Sequence, residues 1–138
     1  MDFLPGNCAD QINLLHSFIV GPVLLYTGYK LNTNLLLSNV EKMLLLIMGC
    51  LVVVYHGYKA MSAQQAGQSI LEDYDYQINM LHFLFIGPLI GWCGYKLYAG
   101  RNVTDLEKTV LLLLGVMATL YHAYTLFTKY KPSSDNDN

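Results

Sequence analysis

Four histidines are the residues of this chain whose type and spacing could do chemistry. They lie inside apolar stretches, at His16, His56, His82 and His122. His16 lies 14 residues before Lys30, and His56 lies 14 residues after Lys42. In an antiparallel helical hairpin these equal spacings place both imidazoles about 21 Å from the level of the lysines. His82 and His122 repeat the spacing, so the sequence predicts one layer of four imidazoles, roughly 9 Å inside a bilayer's hydrocarbon core.

Three hypotheses could explain a histidine layer at this depth, where an ionisable side chain is costly and tends to face the interior of a helix bundle. In the first, each ring hydrogen-bonds a neighbouring helix and holds the bundle together. In the second, neutral rings on facing helices bind a transition metal or the iron of haem. In the third, the rings relay or gate protons or ions. The sequence favours the first, because each helix carries one histidine and no carboxylate lies at the same level to support a metal.

The elements that would position the histidines belong to an internal repeat. Residues 11–59 align with residues 77–125 at a constant offset of 66 without a gap, and 19 of the 49 paired positions are identical. Each repeat contributes two of the histidines. Asn13 and Asn79 also match, each one helical turn before a histidine on the same face. The repeat therefore separates residues that its unit requires from residues that fill space.

The composition predicts a membrane protein. The chain has 138 residues, of which 54% are hydrophobic and 13% are charged, too few polar side chains to cover a soluble globule of this size. Charges are missing from residues 11–29, 43–58, 76–95 and 109–128. Because about 20 residues of helix cross a bilayer, these stretches predict four transmembrane helices.

N-caps are predicted for all four helices. Ser38–Glu41 and Thr104–Glu107 both match the capping box, in which a hydroxyl and a carboxylate each satisfy a backbone N–H. Asp10 and Asp75 are expected to cap the other two helices. The second helix of each repeat also carries a glycine, Gly49 or Gly115, on the histidine face, where a close helix contact is expected.

Gly21-Pro22 and Gly87-Pro88 are expected to interrupt the first and third helices. Proline has no N–H to donate, and its ring clashes with the carbonyl four residues earlier. Both interruptions would fall close to the histidine layer, where a kink could open a small cavity or bend the helix around its partner.

The predicted fold is an all-α integral membrane four-helix bundle, made of two tandem transmembrane hairpins in a parallel repeat and forming a single domain over residues 1–138. Residues 61–76 are expected to form a polar linker, and residues 131–138 a disordered tail. Lysine and arginine counts place the turns Lys30–Lys42 and Lys96–Lys108 in the cytoplasm and both termini on the other side.

Several function classes lack support in the sequence. The sequence has no stripe of basic residues of the kind that binds nucleic acid. The arrangements of nucleophilic catalysis, phosphate loops and metalloprotease helices are missing, so an enzyme is not predicted. The expected partners are the lipid bilayer and other membrane proteins or further copies of this chain.

The repeat unit resembles small hydrophobic proteins of large DNA viruses of algae and amoebae. The resemblance lies in four short motifs: isoleucine-glycine-proline, glycine-tyrosine, a glycine in a leucine-rich stretch, and Tyr-His-x-Tyr. It is carried by Gly21-Pro22, Gly28-Tyr29, Gly49 and Tyr55–Tyr58, and again by Gly87-Pro88, Gly94-Tyr95, Gly115 and Tyr121–Tyr124. The resemblance implies a viral membrane protein without implying a mechanism. Taken together, the sequence predicts a small four-pass membrane protein with a structural or interaction role, with bis-histidine haem or transition-metal binding and a small proton or ion channel as alternatives.

Overall fold

All regular structure in the part of the chain that can be described is helical. The structure, a computed structural model, describes residues 8–129. The helices are α1 (Cys8–Leu15), α2 (Gly21–Asn32), α3 (Asn39–Gln65), α4 (Tyr74–Leu81), α5 (Gly87–Tyr98) and α6 (Asp105–Lys129), and two π-helical turns lie at His16–Val20 and His82–Ile86. The predicted all-α class is confirmed.

These elements make four continuous helical segments. Segment 1 consists of α1, the first π-helical turn and α2, and segment 2 is α3. Segment 3 consists of α4, the second π-helical turn and α5, and segment 4 is α6. Each segment is long and apolar enough to cross a bilayer, which confirms the number of transmembrane-length helices that the sequence predicted.

Both capping boxes form as predicted. The Ser38 hydroxyl accepts a hydrogen bond of 3.2 Å from the Glu41 N–H, and the Ser38 N–H donates to the Glu41 carboxylate at 2.5 Å. Thr104 and Glu107 make the same two bonds, at 3.2 Å and 2.6 Å. Segments 2 and 4 therefore begin where the sequence places them.

The predicted aspartate caps of segments 1 and 3 are wrong. Asp10 lies inside α1, which already includes Cys8, and Asp75 lies in the first turn of α4. The cap of α4 is Asp73, whose side chain accepts a 2.8 Å hydrogen bond from the Tyr76 N–H. A cap requires non-helical backbone, and Asp73 is extended (φ −103°, ψ 109°), whereas the backbone at Asp75 is helical.

Segments 2 and 3 are connected by residues 66–73, because α3 continues to Gln65 and α4 begins at Tyr74. The polar linker expected over residues 61–76 thus contains the last turn of α3 and the first residues of α4. The predicted disordered tail, residues 131–138, lies outside the described residues.

The described chain forms two compact units. One, the middle unit, contains residues 36–107 and pairs segment 2 with segment 3. The other, the terminal unit, combines the chain up to Leu35 with the chain from Lys108 onward, and so pairs segment 1 with segment 4. Each unit therefore takes one helix from each repeat.

Both Gly-Pro steps interrupt their helices as predicted, and the structure shows the form of the interruption. A π-helical turn precedes each step, and the Gly21 N–H bonds the carbonyl of His16, five residues earlier. Gly87 and His82 repeat this bond. Because a proline cannot donate to the carbonyl four residues back, a wider turn absorbs the break. The two histidines of segments 1 and 3 begin these turns, and π-helical turns are frequent at functional sites.

Candidate functional site

In the middle unit, two histidines from different repeats stack on each other. The rings of His56 and His82 have centroids 4.3 Å apart and planes 23° from parallel. His56 Nδ1 lies 2.8 Å from Oδ1 of Asn79, on the partner helix. His82 Nδ1 lies 2.8 Å from the carbonyl oxygen of Ile78, on its own helix. Each ring is thus held both by its neighbour and by an oxygen acceptor.

The terminal unit contains the same arrangement. The rings of His16 and His122 are 4.4 Å apart and 31° from parallel. His122 Nδ1 lies 2.7 Å from Oδ1 of Asn13, and His16 Nδ1 lies 2.9 Å from the carbonyl of Ile12. These contacts match those of the middle unit, because His122 is the repeat equivalent of His56 and His16 is the repeat equivalent of His82. The repeat therefore specifies a two-helix contact that the chain makes twice.

The acceptors determine which nitrogen of each neutral ring carries the proton. A carbonyl oxygen only accepts, so Nδ1 of His16 and of His82 donates. The side chain of Asn79 donates through Nδ2 to the carbonyl of Asp75 at 2.7 Å, which directs its oxygen toward His56. Each neutral ring therefore has Nδ1 as its donor and Nε2 as its acceptor nitrogen.

Each pair combines a buried ring with a half-buried one. His16 and His56 are 9% and 7% exposed, whereas His82 and His122 are of intermediate exposure. The tyrosine that precedes the histidine in segments 2 and 4 lies edge-on to its ring, at 5.0 Å in one unit and 5.1 Å in the other. Tyrosine, histidine and asparagine at this level are all identical between the repeats.

Glycines bring the paired helices close enough for the histidines to stack. In the middle unit, a Cβ atom at Gly49 would collide with the backbone of Gly91, and one at Gly94 would lie 2.6 Å from Cα of Leu46. In the terminal unit, a Cβ atom at Gly28 would lie 2.6 Å from Cα of Leu112. Gly115 meets Leu25 equally closely. The predicted close contact on the glycine and histidine face is confirmed.

The pairing of the histidines differs from the expectation for two tandem hairpins. Such hairpins would place His16 beside His56 and His82 beside His122, because the two helices of a hairpin are antiparallel neighbours. The structure stacks His16 on His122 and His56 on His82. Spacing along a helix gives the depth of a residue and does not identify the helix beside it. A single layer of four imidazoles would include side chains of both units, and it stays a prediction.

The role of the two asparagines is a further difference from expectation. The sequence predicts Asn13 and Asn79 on the histidine face of their own helices, and in the structure each accepts from a histidine of the other repeat. The presence of asparagine at this position in both repeats could have indicated a conserved contact between helices, since an asparagine inside an apolar helix needs a partner.

An ion pair in the middle unit joins segment 3 to segment 4 near the turn. Lys96 Nζ lies 2.8 Å from a carboxylate oxygen of Glu107, and both side chains are mostly buried. The sequence predicts Glu107 only as part of a capping box. The Glu107 carboxylate pairs with Lys96 and also accepts a hydrogen bond from the Thr104 N–H, so it has both roles.

Similarity to other proteins adds no information on function. Comparison of the chain with protein-family models, curated proteins and solved structures finds no match. Within residues 8–129, no group of three or more histidine, cysteine, aspartate or glutamate side chains is placed to hold a metal ion. The candidate site therefore consists of two equivalent contacts, each with two histidines and one asparagine.

Proposed function

We propose that this chain is a four-pass integral membrane protein with a structural or interaction role, in which the two histidine–asparagine contacts join helices of different repeats. The four apolar segments support membrane residence. The observation that carries the role of the contacts is their duplication, because both units use the same three residue types in the same geometry. A polar contact inside an apolar interface gives helices a specific partner and register.

The exposed apolar side chains support the same proposal. Large apolar side chains on all four segments are exposed, among them Phe18 at 72%, Val54 at 69%, Phe85 at 65% and Met117 at 67%. An apolar surface of this extent is compatible with lipid and unfavourable in water. The orientation we propose places the turns Lys30–Lys42 and Lys96–Lys108 in the cytoplasm, from the distribution of basic residues. The resemblance of the sequence strings extends the proposal to a viral membrane.

A double-mutant cycle on His56 and Asn79 tests the structural role of the contact. We expect Asn79→Leu to lower the free energy of unfolding by about 1–3 kcal/mol, because it leaves the Nδ1–H of a buried ring without its acceptor. The coupling between Asn79→Leu and His56→Phe should be on the order of 0.6 kcal/mol and at most about 1.7 kcal/mol. The free energies are measured by unfolding the full chain in mixed detergent micelles.

Gln77 provides the matched control for this cycle. It lies on the same helix two residues earlier, is identical between the repeats and is exposed, so Gln77→Leu should change stability by less than about 0.5 kcal/mol. Equal effects of the Asn79 and Gln77 substitutions, with no coupling to His56, would contradict the structural role.

A second candidate function, transition-metal or haem binding, is favoured by the hydrogen bonds of the four rings. Every Nδ1 is held by an oxygen acceptor, which is how proteins fix the tautomer and orientation of metal-binding histidines. Imidazole nitrogens suit zinc, copper and iron. The Nε2 nitrogens of His56 and His82, or of His16 and His122, would hold the metal ion or haem iron and would supply neutral nitrogen ligands.

Metal content decides this second candidate. We expect a metal-binding pair to yield protein with bound zinc, copper or iron in stoichiometric amounts when it is purified in detergent from metal- and haem-replete cells. His16→Ala/His122→Ala and His56→Ala/His82→Ala should each remove half of it, since each disrupts one site. A metal-free and colourless wild type would reject this candidate and leave the structural role standing.

A further inference from the structure

The middle unit has an apolar groove on its surface. The groove is apolar, is open on its outer side and has a volume of about 470 Å³, within the size range of small-molecule sites. It lies between segments 2 and 3, and its lining includes Cys50, Gly91, Trp92 and Tyr95. All of these residues belong to one compact unit.

Sequence differences between the repeats explain why the groove has room. The residue equivalent to Gly91 in the first repeat is Leu25, and the residue equivalent to Cys50 in the second repeat is Val116. Both replacements leave less side chain in the middle unit than in the terminal unit. The repeats thus preserve the histidine contact and differ in how much of the adjacent helix surface they fill.

Helix packing does not require the glycine at position 91. A Cβ atom there would lie 3.8 Å from the nearest atoms of Gly49, an ordinary contact, whereas a Cβ atom at Gly49 would collide with backbone. An alanine or a larger residue pointing outward could therefore stand at position 91. The missing side chain keeps the groove open without being needed for the approach of the two helices.

A cationic side chain lies at the end of the groove near the turn. The guanidinium of Arg101 is 5.8 Å from the ring centre of Tyr95, which lines the groove. Lys96, five residues before Arg101, is engaged by Glu107. In the first repeat the residue equivalent to Arg101 is Leu35. The open groove and the cation beside it thus both occur in the middle unit, and the terminal unit has a leucine at each of the two positions.

From this juxtaposition we propose that the groove binds one phospholipid of the surrounding bilayer, with an acyl chain along the apolar groove and an anionic headgroup at Arg101. An apolar channel with a cation at its interfacial end complements a molecule with an apolar chain and a terminal phosphate. The lysine and arginine count places this turn on the cytoplasmic side, where anionic lipids give the leaflet a negative surface potential. The inference rests on the proposed membrane residence.

The tryptophan of the groove makes this binding measurable. Trp92 is the one tryptophan of the sequence, lines the groove and is 51% exposed. Full-length protein in detergent micelles is titrated with phospholipids brominated along the acyl chain, which quench tryptophan on contact. We expect quenching to saturate at a low lipid fraction, and phosphatidylglycerol to reach half-saturation on the order of fivefold earlier than phosphatidylcholine.

Two variants borrow the residues of the other repeat. Gly91→Leu fills the groove and should abolish the saturable quenching. Arg101→Leu should keep the quenching and abolish the preference for phosphatidylglycerol. Lys59→Leu removes a cation from the opposite end of segment 2, and Leu25→Gly removes the equivalent leucine of the terminal unit. Both controls should leave the two lipid titrations unchanged.

Two outcomes would overturn the proposal. Linear quenching that is the same for both headgroups and for Gly91→Leu would show only unspecific contact with lipid. Trp92 shielded from lipid in a dimer that Gly91→Leu dissociates would show that a second copy of the chain fills the groove. Flotation of the wild type with liposomes is read separately, because its failure would reject membrane residence rather than the lipid site.

Discussion

A Gly49→Ala substitution is expected to lower the free energy of unfolding by about 1–3 kcal/mol, whereas Gly91→Ala, on the opposite side of the same contact, is expected not to lower it. The added methyl at Gly49 would meet the backbone of Gly91 and lie 3.0 Å from the carbonyl oxygen of Gly87. Backbone cannot rotate away as a side chain does, so the helices must separate, which is the cost of overpacking.

Gly91→Ala is the matched control because it makes the same chemical change. Its methyl would have its nearest neighbours at 3.8 Å, and alanine favours helix over glycine by up to about 1 kcal/mol. Unfolding of each variant in mixed micelles, followed by helical circular dichroism, gives the two values. Similar values for both variants would show that segments 2 and 3 do not meet as described.

The consequence of Gly49→Ala should extend to the histidine pair. Gly49 and His56 lie two helical turns apart on one face, so separating the helices at the glycine should also loosen the stacking of His56 and His82. The Asn79→Leu substitution should then cost less in the Gly49→Ala background than in the wild type, because the hydrogen bond is already weakened.

The number of helices and the starts of segments 2 and 4 could be read from the sequence because the signals are local. The two capping boxes need only residues three apart, and the histidine and glycine face of segment 2 follows from helical spacing. The aspartate caps show where local reasoning fails. Asp73 and Asp75 lie two residues apart, and only the backbone conformation decides which of them caps the helix.

The partners of the histidines could not be read from the sequence. An equal distance from the turn gives His16 and His56 the same depth, and a short turn suggests that their helices are neighbours. Which helix meets the glycine and histidine face depends on contacts between residues far apart in sequence. The internal repeat contained a clue, since a contact made twice between different repeats requires both of its faces to be preserved in each repeat.

The groove was also beyond sequence reasoning. The difference between Gly91 and Leu25 is visible in the aligned repeats, but a glycine in an apolar helix ordinarily indicates close helix packing. Only the position of Gly49 relative to Gly91 shows that a side chain would fit at position 91. The groove was therefore found from Gly91, a glycine that helix packing does not require.

The pairing of helices from different repeats is the central claim, and an engineered disulfide tests it most directly. The Thr109 hydroxyl lies 3.4 Å from Oδ1 of Asn32, within the terminal unit. Asn32→Cys and Thr109→Cys should place two thiols near each other, one in each repeat. The native thiols are replaced first, as Cys8→Ser, Cys50→Val and Cys93→Thr.

A protease site inserted into the connection at residues 66–73 then shows whether the disulfide has formed. After mild oxidation, cleavage and denaturation, the two halves should stay joined until a reductant is added. Each single-cysteine variant should release its halves, and mixing differently tagged chains before oxidation shows that the bond forms within one chain. Halves that separate without reductant, although the protein folds, would contradict the pairing of segment 1 with segment 4.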